Sequence, residues 1–226
     1  MNGNGAGFTN AVRVHNALTA GIEKRILMWM AQRTPAAIGP DHLTALALAC
    51  QILAGAGYAL SAKNGHFLWL VNVFLAFNWL GDSLDGTLAR VRNRQRPRYG
   101  FYVDHISDTF GAFALMAGLG LSGLLDWKIA AGMLVCFYGL SIESYLATYT
   151  TGRFQLSHGM FGPTEIRILL AVGNAVVISR PHVELAGRAF RLFDFGGLLA
   201  IFGMAAMLVS AAVRQTMLLY REETLP

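Results

Sequence analysis

The sequence has few charged residues, and this scarcity excludes an ordinary soluble domain. Only 14% of the 226 residues are Asp, Glu, Lys or Arg, whereas 54% are hydrophobic. Soluble domains carry about 25% charged residues, because their surface must be hydrated. A chain of this composition, with several long apolar runs, is typical of an integral membrane protein.

Cysteine is also scarce. Cys50 and Cys136 both lie within apolar segments, which is typical of small core residues, so they predict neither a disulfide nor a metal pair. The net charge of +5 comes from basic residues that stand beside apolar runs. Cytoplasmic loops and anionic lipid headgroups explain that placement better than nucleic acid does, and we expect no nucleic-acid partner.

Six apolar segments come close to the roughly 20 residues that a transmembrane helix needs. They are Leu43–Ala62, His66–Arg90, Gly100–Leu125, Trp127–Thr151, Thr164–Ser179 and Phe195–Leu219. Before them, apolar and basic residues interleave, which predicts an amphipathic helix lying on the membrane surface. We therefore expect an all-α integral membrane protein with six transmembrane helices and an N-terminal amphipathic interfacial helix.

The chain shows no internal repeat and no low-complexity tract. We divide it into an N-terminal segment, residues 1–39, and a six-helix transmembrane domain, residues 40–226. Asp41 is expected to cap the first span, with Pro40 just outside it. Most basic residues fall on one side when both termini are placed in the cytoplasm, including the arginine-rich segment (residues 90–98). The positive-inside rule then predicts an N-in, C-in multi-pass protein.

Four aspartates interrupt two of the most apolar segments, at the ends that flank the arginine-rich segment. Asp82 and Asp85 are three residues apart, and Asp104 and Asp108 are four apart, so each pair shares one helix face. The short connection between the two segments predicts antiparallel neighbours whose carboxylates point at each other near the cytoplasmic boundary. Unpaired carboxylates at this depth cost at least several kcal/mol each, so a positive partner is required.

Hard divalent cations suit this all-oxygen arrangement best, and we predict two of them, Mg²⁺ or Mn²⁺. Two such ions about 4 Å apart form a clamp for phosphoryl chemistry. Gly86, Ala89 and Gly100 lie within about one turn of the acids, where small residues leave room for a ligand against the backbone. Arg90 is placed to reach a phosphate.

The spacing of these residues resembles the signature of the CDP-alcohol phosphotransferase family in full. The matching pattern is Asp82-x-x-Asp85-Gly86-x-x-Ala89-Arg90, nine residues, Gly100-x-x-x-Asp104-x-x-x-Asp108. The resemblance implies that the pyrophosphate of a CDP-linked alcohol is cleaved. CMP leaves, and the substituted phosphate passes to the hydroxyl of an acceptor alcohol in phospholipid biosynthesis. At least one of the two alcohols is expected to be a lipid, as in CDP-diacylglycerol, and we expect a homodimer.

The resemblance also implies a role for each residue of the signature. Asp82, Asp85 and Asp104 look like metal ligands. Asp108 looks like the general base for the acceptor hydroxyl and a ligand of the second cation.

The nucleotide-binding candidates implied by the resemblance are Gly86, Ala89, Arg90, Gly100 and Thr44. Thr44 is included because the start of the first span, Pro40-Asp41-His42-Leu43-Thr44, resembles the family's Pro-Asn-x-x-Thr. Asp41 stands where the family has Asn, which puts in doubt a nucleotide contact that needs the amide.

Four further residues are candidates for an acceptor or donor site: Glu143, Arg153, Glu165 and Arg167. Glu143 lies inside a predicted span, where an ionisable residue marks a functional site or an internal partner of an arginine or hydroxyl. A segment of the aminoalcohol branch of the family, which would use donors like CDP-choline or CDP-ethanolamine and a lipid acceptor, resembles two stretches taken together: Tyr149-Thr150-Thr151-Gly152 and Gly162-Pro163-Thr164-Glu165. Glu165 also suits an ordinary first helical turn.

Two other classes of protein would use the same acids differently. A cation transporter would spread acidic residues through the depth of the bundle, whereas these cluster at one end. A non-catalytic membrane scaffold would have no use for the constellation.

Overall fold

The computed structural model describes residues 20–151, 163–185 and 187–223. Within these ranges the chain forms seven helices and one hairpin. The helices are α1 (Ala20–Arg33), α2 (Pro40–Ser61), α3 (Phe67–Val91), α4 (Pro97–Leu121), α5 (Trp127–Thr151), α6 (Pro163–Ser179) and α7 (Leu192–Glu222), and the strands are β1 (His182–Leu185) and β2 (Arg188–Arg191). The strands pair antiparallel, with Val183 opposite Phe190. The all-α prediction is confirmed for the described residues, apart from this short hairpin. Gly187 there adopts the positive φ of 74° typical of tight hairpin turns.

All six predicted spans are helices; one has the predicted ends, and the ends of the other five differ by up to a few residues. Four of them are long and apolar enough to cross a membrane: α2, α3, α5 and α7. The other two, α4 and α6, fall outside those criteria. The 17 residues of α6 reach about 26 Å, less than the hydrocarbon core of about 30 Å. Six spans therefore stay a prediction.

The N-terminal helix α1 is docked on the bundle by one face. Leu27 and Ala31 pack with Leu84 and Leu88 of α3 in a small buried cluster. Trp29, on another face, is 56% exposed. A helix with one face against protein and a second, exposed apolar face is what a membrane-surface helix requires. Its place on a membrane stays a prediction.

Helix α2 lies at the centre of the described bundle and packs most extensively against α3 and α4. Glycines make this possible. A Cβ at Gly118 of α4 would lie 1.9 Å from the carbonyl oxygen of Gly55 of α2, and one at Gly81 of α3 would lie 2.5 Å from the carbonyl oxygen of Leu43. The two backbones therefore approach α2 more closely than side chains would allow. The prediction that α3 and α4 are packed neighbours is wrong for this reason, because α2 takes the position between them.

The half of the bundle away from the arginine-rich segment contains the larger apolar core and a buried polar network. Tyr58 of α2 donates to Oδ1 of Asn174 at 2.9 Å, and Nδ2 of Asn174 donates to Asn72 at 2.7 Å. Asn174 and Tyr58 are fully buried. In an apolar bundle these bonds stabilise the packing of α6 on α2 and α3, since each polar group needs a partner.

The start of α2 differs from the expectation. Gly39, not Asp41, is the N-cap residue, and Pro40 is already inside the helix. The N–H of Gly39 donates to Nδ1 of His42 at 3.0 Å. Asp41 instead pairs with Arg96, and this hydrogen bond raises the pKa of Arg96 above its usual value. Because Pro is favoured in the first helical turn, the chain enters the helix two residues earlier than the cap prediction assumed.

The arginine-rich segment is partly tied to the protein. Arg92 donates to the carbonyl oxygens of Ile38 at 2.6 Å, Thr34 at 2.7 Å and Pro35 at 2.9 Å. It thereby fastens the connection between α1 and α2 to the end of α3. The sequence could not predict this contact, since a pattern of alternating arginines carries no information about distant carbonyl groups.

Candidate active site

One pocket is lined by all four aspartates of the signature. It lies at the loop end of the bundle, which is the end where the arginine-rich segment joins α3 to α4. Asp82 and Asp85 come from α3, and Asp104 and Asp108 come from α4. The remaining lining residues are Thr44, Ala47, Leu48, Gln51, Asn78 and Ser107. Helical spacing brings each pair to one face, and the central position of α2 brings the two faces to a common pocket.

Asp108 has a concentrated set of charged neighbours. The carboxylates of Asp82, Asp104 and Asp85 all interact with it electrostatically, and so does the positively charged guanidinium of Arg167. Like charges so close together repel. The pocket is therefore an anionic site in which positive charge is strongly favoured.

Thr44 of α2 holds one of the carboxylates. Its Oγ1 lies 2.5 Å from Oδ2 of Asp85 and donates a hydrogen bond to it. Thr44 was a nucleotide-binding candidate, and the structure places it beside the acids with its hydroxyl on Asp85. A hydrogen bond of this kind fixes the orientation of the carboxylate.

Arg167 of α6 reaches across α3 into the acidic pocket. Its Nη2 lies 2.7 Å from Oδ2 of Asp82, and its Nε donates to Oδ1 of Asn78 at 2.7 Å. The side chains of Arg167 and Asp82 are only 13% and 23% exposed. Nη1 of Arg167 is buried and has no hydrogen-bond partner within the described ranges. An orphaned guanidinium N–H in such a site is a donor suited to an anionic oxygen.

The other nucleotide-binding candidates lie on the same two helices, outside the lining of this pocket. Gly86 and Ala89 are half-buried on α3, and Arg90 is exposed and donates to Oγ1 of Thr87 at 3.1 Å. Gly100 is exposed in the first turns of α4, and a Cβ there would have no neighbour within 4 Å. The space above Gly100 is open.

The remaining candidates are dispersed. Glu143 is half-buried on α5, and Glu165 is buried in the first turn of α6 with 8% exposure. Neither lines the pocket. Arg153 lies outside the described residues. Among the described members of this group, Arg167 contacts one of the aspartates, Asp82.

Sequence reasoning missed Gln51 and Asn78, which line the pocket, and Glu23 of α1, which accepts hydrogen bonds from α3. Asn78 donates to the carbonyl oxygen of Ala47 at 2.8 Å and to Gln51 at 3.3 Å, so it joins α2 to α3 beside Asp82. Its position four residues before Asp82, on the same face of an apolar helix, was an available signal.

The pocket is lined by carboxylate oxygens, which are the type of ligand that hard divalent cations prefer. In the side-chain positions seen here, no three Asp, Glu, His or Cys residues of the described part converge on one point. Asp82 is turned towards Arg167 and Asp85 towards Thr44. The helices therefore supply suitable ligands, and closing them around an ion requires rotation of the carboxylates.

The fold and the pocket define a helical integral membrane protein with an acidic site at one end of its bundle. A family model described as CDP-alcohol phosphatidyltransferase matches residues 37–217, which is most of the chain. The chain belongs to this family and is a transferase of substituted phosphate groups. The match confirms the resemblance. It also identifies the protein as an enzyme and not as a cation transporter or a scaffold. No curated protein matches the chain.

Proposed function

We propose that the protein transfers a substituted phosphate from a CDP-linked alcohol to an acceptor alcohol in the acidic pocket, with two divalent cations. The family gives the class of reaction, from a CDP-alcohol donor to an acceptor. The observation that supports this site is the meeting of Asp82, Asp85, Asp104 and Asp108 from two helices in one pocket.

The cations would be Mg²⁺ or Mn²⁺, held by the four aspartates, and when bound they would neutralise negative charge on the transferred phosphate. Thr44 keeps Asp85 oriented through its 2.5 Å hydrogen bond. Arg167 offers its buried Nη1, which has no hydrogen-bond partner among the described residues, to a phosphate oxygen of donor or acceptor.

Asp108 is the proposed general base. The acceptor hydroxyl oxygen forms a bond to the phosphorus that carries the donor alcohol, while the bond from that phosphorus to the bridging oxygen of the pyrophosphate breaks. CMP leaves with that oxygen. Asp108 takes the hydroxyl proton, since a carboxylate within reach of the attacking group is needed for general base catalysis.

The nucleotide is proposed to lie along Gly86, Ala89 and Gly100, with Arg90 near its phosphates. The open space above Gly100 is compatible with a cytidine ring pressed against α4. Arg90 is exposed at the end of α3, on the side of the arginine-rich segment.

The donor that we favour is a lipid such as CDP-diacylglycerol, and an aminoalcohol donor with a lipid acceptor is the second candidate. The resemblance of residues 149–152 and 162–165 to the aminoalcohol branch favours the second candidate. We further propose a homodimer with both termini and the pocket on the cytoplasmic side. The loop end that carries the pocket also carries the arginine-rich segment, as the positive-inside rule requires.

The test uses purified protein in detergent with a panel of CDP donors and acceptor alcohols. Release of CMP and the mass of the product are followed with and without Mg²⁺ or Mn²⁺. We expect divalent-dependent transfer, and we expect Asp108→Asn to abolish turnover without lowering thermal stability. Asp126→Asn, at the other end of the bundle, is the matched control and should keep its activity. Near-normal turnover of Asp108→Asn would remove Asp108 from the role of base.

A further inference from the structure

Glu23 of α1 connects three helices through one carboxylate. Its Oε1 accepts hydrogen bonds from Nε1 of Trp79 and from Oγ of Ser83, each at 3.0 Å. Both donors lie on α3. The same oxygen accepts a hydrogen bond from Oγ1 of Thr164, at the start of α6, at 3.2 Å. The amphipathic helix is therefore tied to the bundle by polar contacts as well as by its apolar face.

These contacts lie directly beside the acidic pocket. The two α3 residues that bind Glu23 are each one position after Asn78 and Asp82, the two α3 residues that bind Arg167. Residues four apart share one face of a helix, and the next residue along lies on the adjoining face. Two adjoining faces of α3 therefore make these contacts, one with Glu23 and the other with Arg167.

The register of α6 repeats this arrangement. Thr164 and Arg167 are three residues apart and share one face of the helix. Thr164 binds Glu23, and Arg167 binds Asp82. Since α6 packs mainly against α3, a contact that fixes its first turn also fixes where the guanidinium one turn later enters the pocket.

We propose that Glu23 is a positioning residue for the active site. It holds the first turn of α6 through Thr164, and this keeps Arg167 against Asp82 with Nη1 free to meet a phosphate. The role of Glu23 in catalysis rests on the proposed function of the pocket. Its effect on the position of α6 does not, because that follows from the contacts alone.

The kinetic experiment compares two variants that remove the contact with two matched controls. Glu23→Ala and Thr164→Val each delete one side of the hydrogen bond. We expect each to lower kcat/KM for the CDP donor by about tenfold or more, since loss of residues that orient a site typically costs about 10- to 100-fold. The controls are Glu222→Ala and Thr216→Val, whose side chains both lie exposed on α7, and both should match the parent.

A conservative variant separates positioning from simple docking. In Glu23→Gln the amide oxygen still accepts hydrogen bonds from the hydroxyl and indole donors. We therefore expect its kcat/KM to lie closer to the parent than that of Glu23→Ala. Equal losses in the two variants would contradict the hydrogen-bonding role.

A second readout needs no activity. Spin labels are placed at Phe113→Cys on α4 and Ile166→Cys on α6, both exposed positions, in a chain with Cys50 and Cys136 replaced by Ala. We expect one narrow distance distribution in the parent and in Glu222→Ala, and a broader or shifted one in Glu23→Ala and Thr164→Val. An unchanged distribution in Thr164→Val would overturn the proposal, because Glu23 would then serve only to dock α1. A clear distance change in a protein that transfers nothing would instead leave the positioning intact and refute the proposed reaction.

Discussion

Gly81 links the packing of the bundle to the geometry of the pocket. It precedes Asp82 on α3 and faces α2. A Cβ at this position would lie 2.5 Å from the carbonyl oxygen of Leu43 and 2.9 Å from the backbone nitrogen of Ala47. Both are backbone atoms inside α2, so they cannot move aside by themselves. In Gly81→Ala the two helices must separate.

The required movement follows from the contact distances. Relaxing the 2.5 Å contact to an ordinary 3.4 Å moves the helices apart by the difference, about 0.9 Å. The hydrogen bond from Thr44 to Asp85 crosses the same interface at 2.5 Å. A shift of that size would lengthen it to about 3.4 Å, beyond the usual range for such bonds. Overpacking costs about 1–3 kcal/mol, and alanine recovers about 1 kcal/mol of helix propensity, so we expect a net loss of up to about 2 kcal/mol.

The assay is thermal unfolding in detergent together with divalent-dependent release of CMP. Gly81→Ala should unfold at a lower temperature and turn over more slowly, because the lengthened bond leaves Asp85 less well oriented. Gly196→Ala on α7 is the matched control, since a Cβ there meets nothing within 4 Å. If Gly81→Ala unfolds and turns over like the control, α2 does not hold the pocket together in the way described.

Three other substitutions separate stability from function. Gly100→Ala should leave thermal stability unchanged or slightly higher, since its Cβ meets no neighbour. It should nevertheless raise KM for the CDP donor, and an unchanged KM would exclude the proposed binding of the nucleotide along Gly100. Asn174→Leu should lower the free energy of unfolding by about 1–3 kcal/mol, because the buried hydroxyl of Tyr58 and the amide of Asn72 lose a partner; unchanged thermal unfolding would show the network to be dispensable. Arg92→Met should speed proteolysis between α1 and α2, which Arg92 ties to α3 through three carbonyl groups, and cleavage at the parent rate would contradict that tie.

The local features of the molecule could be predicted from sequence because their causes are local. Long apolar runs specify helices, and the predicted span Trp127–Thr151 is helix α5 without any change. Spacings of three and four place Asp82 with Asp85, and Asp104 with Asp108, on common faces. The signature that carries the family resemblance is likewise a matter of spacing along the chain.

The sequence could not predict which helix packs against each helix face. It predicted α3 and α4 as packed neighbours, yet α2 lies between them because glycines at 55, 81 and 118 let its backbone approach both. The contacts of Arg167 with Asp82, of Thr44 with Asp85 and of Glu23 with Thr164 join residues far apart in the chain. No periodicity encodes such contacts.

The sequence by itself determined a helical membrane protein, the class of its chemistry and the four carboxylates proposed to carry it, since each of these depends on composition or on residues a few positions apart. Only the tertiary structure decided that α2 lies at the centre, that Arg167 enters the acidic pocket and that Glu23 of α1 contacts α6. Those contacts arise when close helix packing brings distant side chains within hydrogen-bond range.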